Sequence, residues 1–363
     1  MKPSNPVPFS LLTGFLGAGK TTLLNRLLNE GDLKNTAVIV NEFGDVALDH
    51  LLVERGDEDI IELSDGCVCC TVRGALVDTL LDLLDRKSKE AGLGRILVET
   101  TGLADPAPLL HTIVMHPVLA HAMRFDGVIA VIDAVNGEAT LSHHEEAIKQ
   151  VALADRIVVS KTDIASPSAT DRLNKQIKSI NPGAARLVAA DIENPVSELL
   201  ECGLINAATS EADIGRWLGH EPSANAQTHD HGHNSNHDHA IRAFSMTSDK
   251  PVTSDALQTF LDLLRSLYGQ NLLRLKGIVE LAEDPERPLV LHAVQEAMHP
   301  PAHLPAWPKD LAGRKDKTRL VAICRGIEPE KITDLFSAFT GGVAVDAPDR
   351  TALENNPLRV PGP

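Results

Sequence analysis

The amino-acid sequence predicts an α/β protein: a doubly wound domain with a mostly parallel sheet, followed by a smaller α+β domain. Two observations support this fold class. Short runs rich in Val and Ile alternate with helical patterns as far as residue 218, which is typical of parallel strands covered by helices on both faces. Strand-like runs and a Leu-rich helical pattern resume at about residue 241, after a polar stretch with five histidines between His229 and His239.

The elements of the first domain follow in order along the chain. The run VPFSLLT, a glycine-rich turn and the pattern KTTLLNRLLNE predict a strand, a loop and a helix. Leu recurs at three- and four-residue intervals in GALVDTLLDLLDRKSKEA, which predicts a long helix. Further buried strands are predicted from the runs TAVIVN, DIIEL, RILVET, GVIAVID and RIVVSK.

Changes in composition predict the domain boundaries. Residues 1–218 are assigned to the first domain and residues 219–240 to a flexible, His-rich linker, because GHEPSANAQTHDHGHNSNHDHA has almost no apolar residues. The α+β domain, residues 241–340, is predicted from IRAFSM, DALQTFLDLLRSLYG, LLRLKGIVEL, PLVLHAV, TRLVAICRG and EPEKITDLFSAF. Residues 341–363, rich in Pro, Gly and Asn, are expected to be a disordered tail.

The charge balance and the absence of long apolar runs argue against two kinds of partner. Asp and Glu total 50 against 34 Lys and Arg, and the resulting net charge of -16 repels phosphate backbones, so no nucleic-acid partner is expected. The start, MKPSNPVPFS, does not resemble a signal peptide, and no run approaches the ~18 apolar residues of a membrane helix. We therefore expect no membrane partner and a cytoplasmic location, where cysteines stay reduced and favour metal or redox chemistry.

A phosphate-binding loop is predicted from GFLGAGKTT. This stretch fits G-x-x-x-x-G-K-[ST] with Gly14, Gly19, Lys20 and Thr21, and it stands between a predicted strand and a predicted helix. Glycines allow a tight turn whose N–H groups converge on one anion, and the helix N-terminus adds a partial positive charge. Lys20 is expected to reach the β- and γ-phosphates, and the Thr21 hydroxyl to ligate Mg²⁺.

Two later motifs complete the predicted nucleotide site. RILVETTG places Glu99 at a strand end, where an acid can hold Mg²⁺ through water, and Gly102 where its N–H can sense the γ-phosphate. RIVVSKTD places Lys161 and Asp163 after another strand. A carboxylate there can accept the N1–H and N2 amine of guanine, a pair of donors that adenine lacks. GTP is therefore predicted over ATP, although SKTD taken alone also fits an ordinary polar turn.

Three of the five cysteines are clustered in SDGCVCCTVRG, as Cys67, Cys69 and Cys70. Three thiolates fit a zinc site with an open fourth position, from which metal can be passed on by ligand exchange. The candidates for a fourth ligand other than water are Glu42, Asp45 and His116. A closed structural zinc site and a redox-active dithiol are the alternatives. The histidine stretch is either a weak metal-gathering arm or a solvated spacer.

With these motifs in place, the sequence resembles the CobW family of metal-chaperone GTPases, relatives of the GTPases that deliver nickel to urease and hydrogenase. The matching stretches are LLTGFLGAGKTTLLN, NEFGD, DGCVCC, LVETTGLADP, DGVIAVIDA and ADRIVVSKTD, and the smaller domain is similar to the CobW C-terminal domain. The resemblance implies a P-loop NTPase fold and GTP hydrolysis coupled to the movement of a divalent metal. Ser160 departs from the Asn that often begins the base-reading motif, and Asp45 from the Glu that often ends NEFGD-type motifs.

The motifs and the resemblance together assign roles to individual residues. The expected catalytic residues are Lys20, Thr21, Glu99 and, in the NEFGD switch, Glu42. The expected nucleotide-binding residues are Gly14, Gly17, Ala18, Gly19, Lys20, Thr21, Thr22, Gly102, Lys161 and Asp163. The expected metal ligands are Cys67, Cys69, Cys70, Thr21 and His116. The residue that positions the attacking water is left open among Glu42, Glu99 and Asp105.

The predicted function is that of a GTP-hydrolysing metallochaperone. Such a protein binds GTP or GDP with Mg²⁺, holds a divalent metal, Zn²⁺ in the first instance, at the Cys-x-Cys-Cys motif, and transfers the metal to an apo-metalloprotein client. One alternative is a GTPase that inserts Co²⁺ or Ni²⁺ into a specific enzyme or cofactor. Another is a metal-storage protein without coupled delivery. A homodimer is compatible with each of these functions.

Overall fold

The fold was derived from a computed structural model. It describes residues 6–30, 33, 35–41, 60–63, 71–89, 93–200, 241–295, 297–299, 301–308 and 317–341. The predicted linker and the tail beyond Gly341 lie outside these residues. In the part of the chain that is described, no helix is long and apolar enough to cross a membrane.

The first domain is built on a seven-stranded sheet in the order β3-β2-β4-β1-β5-β6-β7. Its strands are β1 (Val7–Gly14), β2 (Thr36–Asn41), β3 (Ile60–Leu63), β4 (Arg95–Glu99), β5 (Met123–Asp133), β6 (Arg156–Ser160) and β7 (Ala185–Val188). All pairings among these strands are parallel. The central strands are buried on both faces, as their continuous Val and Ile runs require. The predicted doubly wound α/β fold is confirmed.

Helices connect the strands and cover both faces of the sheet. They are α1 (Lys20–Glu30), α2 (Thr71–Lys89), α3 (Ala107–Met115), α4 (Pro117–Ala122), α5 (Gly137–His143), α6 (Glu145–Leu153), α7 (Pro167–Ile180) and α8 (Pro195–Leu199). Helix α7 illustrates the local causes. The Ser166 hydroxyl accepts the Ala169 N–H, and Leu173, Ile177 and Ile180 form one buried stripe at helical spacing.

In its described residues, the second domain is an antiparallel sheet with two helices. Its strands are β8 (Ile241–Ser248), β9 (Leu272–Val279), β10 (Leu289–Val294), β11 (Ala297–Met298), β12 (Ala302–His303) and β13 (Thr318–Arg325). The order is β11-β10-β9-β13-β8, with β12 also paired to β10. Helices α9 (Ser254–Tyr268) and α10 (Pro329–Phe339) share a core with one face of this sheet. From the opposite face, Leu273, Val294 and Ile323 join the core of the first domain.

Buried charges also join the second sheet to the first domain. Arg274 of β9 donates hydrogen bonds to the main-chain oxygen of Leu153, at the end of α6, and to the carboxylate of Asp155. Lys276 Nζ lies 2.7 Å from Asp155 Oδ1. Burial alone would raise the pKa of Asp155, but the charges of Arg274 and Lys276 hold it well below its usual range. Leu153, Asp155, Arg274 and Lys276 are called the charged seam below.

An aromatic stack lies beside the charged seam. Phe125 of β5 stacks on His299 with ring centroids 4.9 Å apart, and His299 stacks on His292 of β10 at the same distance. Burial lowers the pKa of both histidines, that of His299 to about 4, and the nearby positive charge of Arg274 acts in the same direction. Both imidazoles are therefore neutral at pH 7, which lets them pack as ordinary rings.

Candidate nucleotide site

The predicted phosphate loop is the connection between β1 and α1. Gly14, Gly17 and Gly19 all have positive φ angles, of 145°, 70° and 96°. A side chain at Gly14 would place its Cβ 2.3 Å from the main-chain oxygen of Val131, so this position also requires glycine for space. The loop therefore has the backbone that lets successive N–H groups face one anion at the start of a helix.

Lys20 and Thr21 begin helix α1 directly after the loop. The Lys20 side chain is nearly buried, and its Nζ donates hydrogen bonds to the main-chain oxygens of Gly14 at 3.0 Å and Phe15 at 3.3 Å. The ammonium group thus lies against the loop that would hold the phosphates. Thr22 is exposed at the same helix end, whereas Ala18 is buried.

Thr21 meets an acidic residue from a neighbouring strand. The Thr21 hydroxyl donates to Glu99 Oε1 at 3.3 Å, and the Glu99 side chain is buried at the end of β4. Parallel pairing of β1 with β4 sets Leu12 opposite Glu99, which brings the acid to the phosphate loop. A hydroxyl and a carboxylate are the hard oxygen donors that suit Mg²⁺, so this pair fits the predicted cation.

The segment after β4 packs directly on the phosphate loop. Thr100 donates its N–H to the Leu12 oxygen at 2.9 Å and its hydroxyl to Thr13 Oγ1 at 2.8 Å. At Gly102, an added Cβ would lie 2.6 Å from the main-chain nitrogen of Leu16. Gly102 is therefore required for the close approach of this turn, whichever ligand the loop binds.

The predicted base-reading segment is tied to the phosphate loop from the other side. The Ser160 hydroxyl, at the end of β6, donates to the main-chain oxygen of Ala18 at 2.6 Å. Lys161 follows with a φ of 56°, and its Nζ lies 2.9 Å from Asp133 Oδ2. Asp163 is exposed two residues further along the same turn.

Asp133, at the end of β5, was not predicted as a site residue. Its carboxylate also accepts the main-chain N–H of Val135 at 2.6 Å and the side-chain amide of Asn136 at 3.0 Å. Burial alone would raise the pKa of Asp133, but the hydrogen bonds from Lys161, Asn136 and Val135 lower it below its ordinary value. The sequence pattern that could have identified Asp133 is its position as an acid at the end of the buried run GVIAVID, at the edge where the other site strands end.

A cavity of about 260 Å³ adjoins the phosphate loop on the β5 side. Leu16 and Gly17 of the loop form one wall, and the polar residues Asp133, Gln150 and Lys161 are among those that line the others. The phosphate loop, the end of β5 and the end of β6 thus enclose a common space. This is the carboxyl edge of the sheet, where ligands of doubly wound α/β proteins bind.

His116, the predicted fourth metal ligand, caps a helix. Its Nδ1 accepts the Leu119 N–H at 3.4 Å at the start of α4. A neutral ring that accepts at Nδ1 carries its proton on Nε2, so metal binding would require this cap to open. The full length of α3 separates His116 from the turn after β4.

The other predicted metal ligands lie outside the described residues. These are Cys67, Cys69 and Cys70, together with Glu42 and Asp45. Among the residues that the structure does describe, no three His, Cys, Asp or Glu side chains are grouped to hold a metal ion. The strands next to these segments are described: Leu63 at the end of β3 pairs with Asn41 of β2, at the same edge of the sheet as Glu99.

These features define a P-loop nucleotide-binding protein. They are a parallel sheet with a glycine-rich loop, a lysine and a threonine that open the next helix, and an acid that ends the neighbouring strand. Residues 8–188 match the model for the CobW/HypB/UreG nucleotide-binding domain, and residues 241–340 match that for the cobalamin synthesis protein cobW C-terminal domain. The zinc chaperone CobW of Sinorhizobium sp. is 30% identical over 346 residues, covering 87% of this chain and 92% of that protein. The chain belongs to the CobW family of P-loop GTPases.

Two further comparisons concern a second relative, YjiA of Escherichia coli. The zinc chaperone YjiA of Escherichia coli is 44% identical over 181 residues, which are 50% of this chain and 56% of that protein. The crystal structure of Zn(II)-bound YjiA GTPase from E. coli superposes with a TM-score of 0.61 at 27% identity, covering 92% of this chain and 99% of that one. The sequence match to YjiA thus spans little more than half its length, whereas the structural match spans nearly all of it.

Proposed function

We propose that this protein is a GTP-hydrolysing metallochaperone that binds zinc at Cys67, Cys69 and Cys70 and transfers it to client metalloproteins. The observation that carries the nucleotide part is the contact between Thr21 and Glu99 at the foot of the phosphate loop. The metal part is supported by the Cys-x-Cys-Cys motif and by the names of the relatives, three of which are called zinc chaperones and two zinc-regulated GTPase metalloprotein activators.

The proposed nucleotide chemistry divides among the three sides of the site. The N–H groups of the loop, including those of Gly17 and Gly19, hold the phosphates, and Lys20 supplies a positive charge to them. The Ala18 N–H donates to the Phe15 oxygen at 3.2 Å, so its part in phosphate binding requires this bond to open. Thr21 and Glu99 would hold Mg²⁺, which neutralises charge that develops on the phosphate oxygens. The remaining loop residues proposed to bind phosphate are Gly14 and Thr22.

Guanine specificity is assigned to the turn after β6. Asp163 accepts the two guanine donors, and Lys161 is oriented by its ion pair with Asp133. Ser160 is shorter than the Asn usual in the family, and its hydroxyl is used to hold the phosphate loop at Ala18. Base recognition and phosphate binding are thereby fixed relative to each other.

Glu42, Glu99 and Asp105 are the three candidates for the residue that positions the attacking water. Asp105 accepts the Ala107 N–H at 3.0 Å through Oδ1 and pairs with Lys149 at 2.7 Å through Oδ2, so both of its oxygens are engaged. Glu99 contacts Thr21 and is assigned to the cation. We therefore favour Glu42, the residue that follows Asn41 in the sequence, for the water-positioning role.

Phosphate release from GTP and from ATP, measured with saturating Mg²⁺, tests the nucleotide part. Thr21→Val should lower kcat at least about 100-fold, because a required oxygen ligand is lost. Thr79→Val is the matched control: this hydroxyl donates to the Ala75 oxygen of its own helix at 2.8 Å, away from the phosphate loop, so turnover should be unchanged. Equal loss in both variants, or equal turnover of ATP and GTP, would contradict the assignment.

Competition with a chromophoric chelator tests the metal part. Cys69→Ala should remove tight Zn²⁺ binding and leave a weaker component from the histidines of residues 229–239. Cys324→Ala is the control, because burial raises the pKa of this thiol to about 12 and keeps it a neutral core residue. Stronger binding of Co²⁺ or Ni²⁺ than of Zn²⁺ in the GTP state would favour the insertion alternative. Metal affinity that is the same with GTP and GDP would favour storage.

A further inference from the structure

Helix α6 (Glu145–Leu153) contacts both the nucleotide site and the second domain. At its start, the ring of His144, its N-cap residue, packs on Phe15 of the phosphate loop with centroids 4.4 Å apart. At its end, the Leu153 oxygen accepts a hydrogen bond from Arg274 in the charged seam. A nine-residue helix spans about 13 Å, so one rigid element reaches from one region to the other.

Gln150 connects the middle of α6 to the turn that follows β4. Its Nε2 donates to the main-chain oxygens of Gly102 at 3.1 Å and Ala104 at 3.0 Å. The residue is 1% exposed. A neutral amide offers two N–H donors, and here both are used on carbonyls of the turn whose Gly102 abuts the phosphate loop. Without Gln150 the buried Gly102 oxygen and the partly buried Ala104 oxygen would lose this donor.

A second contact fixes the same turn. Lys149 Nζ lies 2.7 Å from Asp105 Oδ2, next along the chain from Ala104. At the first residue of α6, Glu145 Oε1 accepts from Arg325, at the end of β13, at 2.7 Å. Successive residues of one helix thus bond the phosphate-facing turn, and the two ends of the helix bond separate strands of the second sheet.

We propose that Gln150 is the positioning residue that ties the Gly102–Ala104 turn to α6, and that α6 conveys the nucleotide state of this turn to the second domain. This inference rests on the proposed GTP function. A γ-phosphate bound near Gly102 shifts the carbonyls that Gln150 holds, and the helix moves with them because the amide cannot keep both bonds otherwise. The Leu153 oxygen and Asp155 then shift against Arg274.

The strength of this coupling can be measured as a ratio of nucleotide affinities. If the turn and the charged seam are coupled, a change at either one alters the affinity ratio of a GTP analogue to GDP by the coupling factor, typically about 5- to 150-fold. Removing Gln150 abolishes the coupling and should bring that ratio toward the value set by the phosphate loop alone.

Hydrogen exchange of β9 (Leu272–Val279), compared between GDP and a non-hydrolysable GTP analogue, is the first readout. In the parent protein, protection of β9 should differ between the two nucleotides. In Gln150→Met the difference should disappear, with GDP affinity within about threefold of the parent and the analogue-to-GDP ratio changed at least about fivefold. Gln258→Met, at an exposed position of helix α9, is the matched control and should behave as the parent.

A conservative variant separates positioning from packing. In Gln150→Glu the carboxyl group donates a single hydrogen bond, and only when protonated, and burial raises its pKa. Part of the nucleotide-dependent difference at β9 should therefore return as the pH is lowered from about 8 to 6, whereas Gln150→Met should show no such recovery. If Gln150→Met does not fold, Lys149→Met, whose side chain is partly exposed, should weaken the same response.

The outcomes distinguish the inference from the function it rests on. If the parent protein binds neither GTP nor its analogue, the proposed function fails. If the parent binds both nucleotides but β9 is insensitive to them, or if Gln150→Met keeps the full difference, the coupling role of Gln150 is wrong while the GTPase assignment stands.

Discussion

Replacing Arg274 by methionine should destabilise the protein through the charged seam. Arg274 and Asp155 have side chains only 3% exposed, and methionine keeps an unbranched apolar stem but is shorter and removes both the charge and the donors. Asp155 would remain buried with Lys276 as its ion-pair partner at 2.7 Å, and the Leu153 oxygen at the end of α6 would lose the hydrogen bond from Arg274.

The magnitude follows from the burial of the pair. Removing one partner of a buried ion pair costs about 3–5 kcal/mol, because the other charge is left without full compensation. Lys276 still faces Asp155, so we expect the lower end, about 3 kcal/mol in the free energy of unfolding. Asp155→Asn keeps an acceptor for the Val128 N–H, but it removes the charge and replaces Oδ1, which faces Arg274 and Lys276, by an amide NH2. Combined with Arg274→Met, it should cost about 2 kcal/mol less than the sum of the two single changes.

Urea unfolding followed by circular dichroism measures these differences, with separate fits if the domains unfold in separate steps. Arg265→Met is the matched control, because Arg265 and its partner Asp262 are half exposed and 3.5 Å apart. We expect it to cost less than about 1 kcal/mol. If Arg274→Met costs no more than Arg265→Met, and the double variant shows no coupling with Asp155→Asn, the argument from buried charge is refuted.

Three further changes test other parts of the structure. Gly102→Ala should weaken GTP binding at least tenfold, because the new Cβ would lie 2.6 Å from the Leu16 nitrogen. The control is Gly74→Ala, in open space on α2, which should leave GTP binding unchanged and stabilise the fold by up to about 1 kcal/mol. Equal GTP affinities of the two variants would contradict the packing argument. His299 alone should lower the unfolding free energy by roughly 3 kcal/mol between pH 6.5 and 4, because the unfolded chain binds a proton that buried His299 does not take up until its pKa of about 4. In pH-dependent denaturation, His299→Phe should remove this part of the slope and leave the part due to His292, whose pKa is also lowered by burial. Lys20→Ala should abolish phosphate release and leave Zn²⁺ affinity in the GDP-free protein unchanged, so a loss of both would show that the phosphate and metal sites depend on one structure.

The fold of the first domain could be predicted because its local patterns agree with their tertiary setting. The run GVIAVID lies in a strand with almost every residue buried, and the motif ending in Lys20 and Thr21 stands between β1 and α1 as its chemistry requires. The approach of Glu99 to Thr21 followed from the rule that parallel strands end at one edge.

The docking of the second domain could not be predicted from the sequence. In LLRLKGIVEL the cations at Arg274 and Lys276 alternate with apolar residues, a pattern that indicates one solvent-facing side of a strand. That side is buried, and the acid that compensates it, Asp155, lies 119 positions from Arg274. Gln150 was missed for a similar reason, since a glutamine in EEAIKQVAL fits the polar face of an exposed helix.

The charged seam fixes the position of α6 relative to β9 in a way that an apolar contact would not. A well-packed apolar contact of similar size is often at least as stable as a buried ion pair, so the charges at Asp155 and Arg274 are not explained by stability alone. An apolar face tolerates sliding by a fraction of a side chain, whereas Arg274 must satisfy both the Leu153 oxygen and the Asp155 carboxylate and can do so at one position only. The end of α6 is therefore held in a single register against β9. A movement of α6 at the nucleotide edge cannot be absorbed by slippage and has to displace the second sheet.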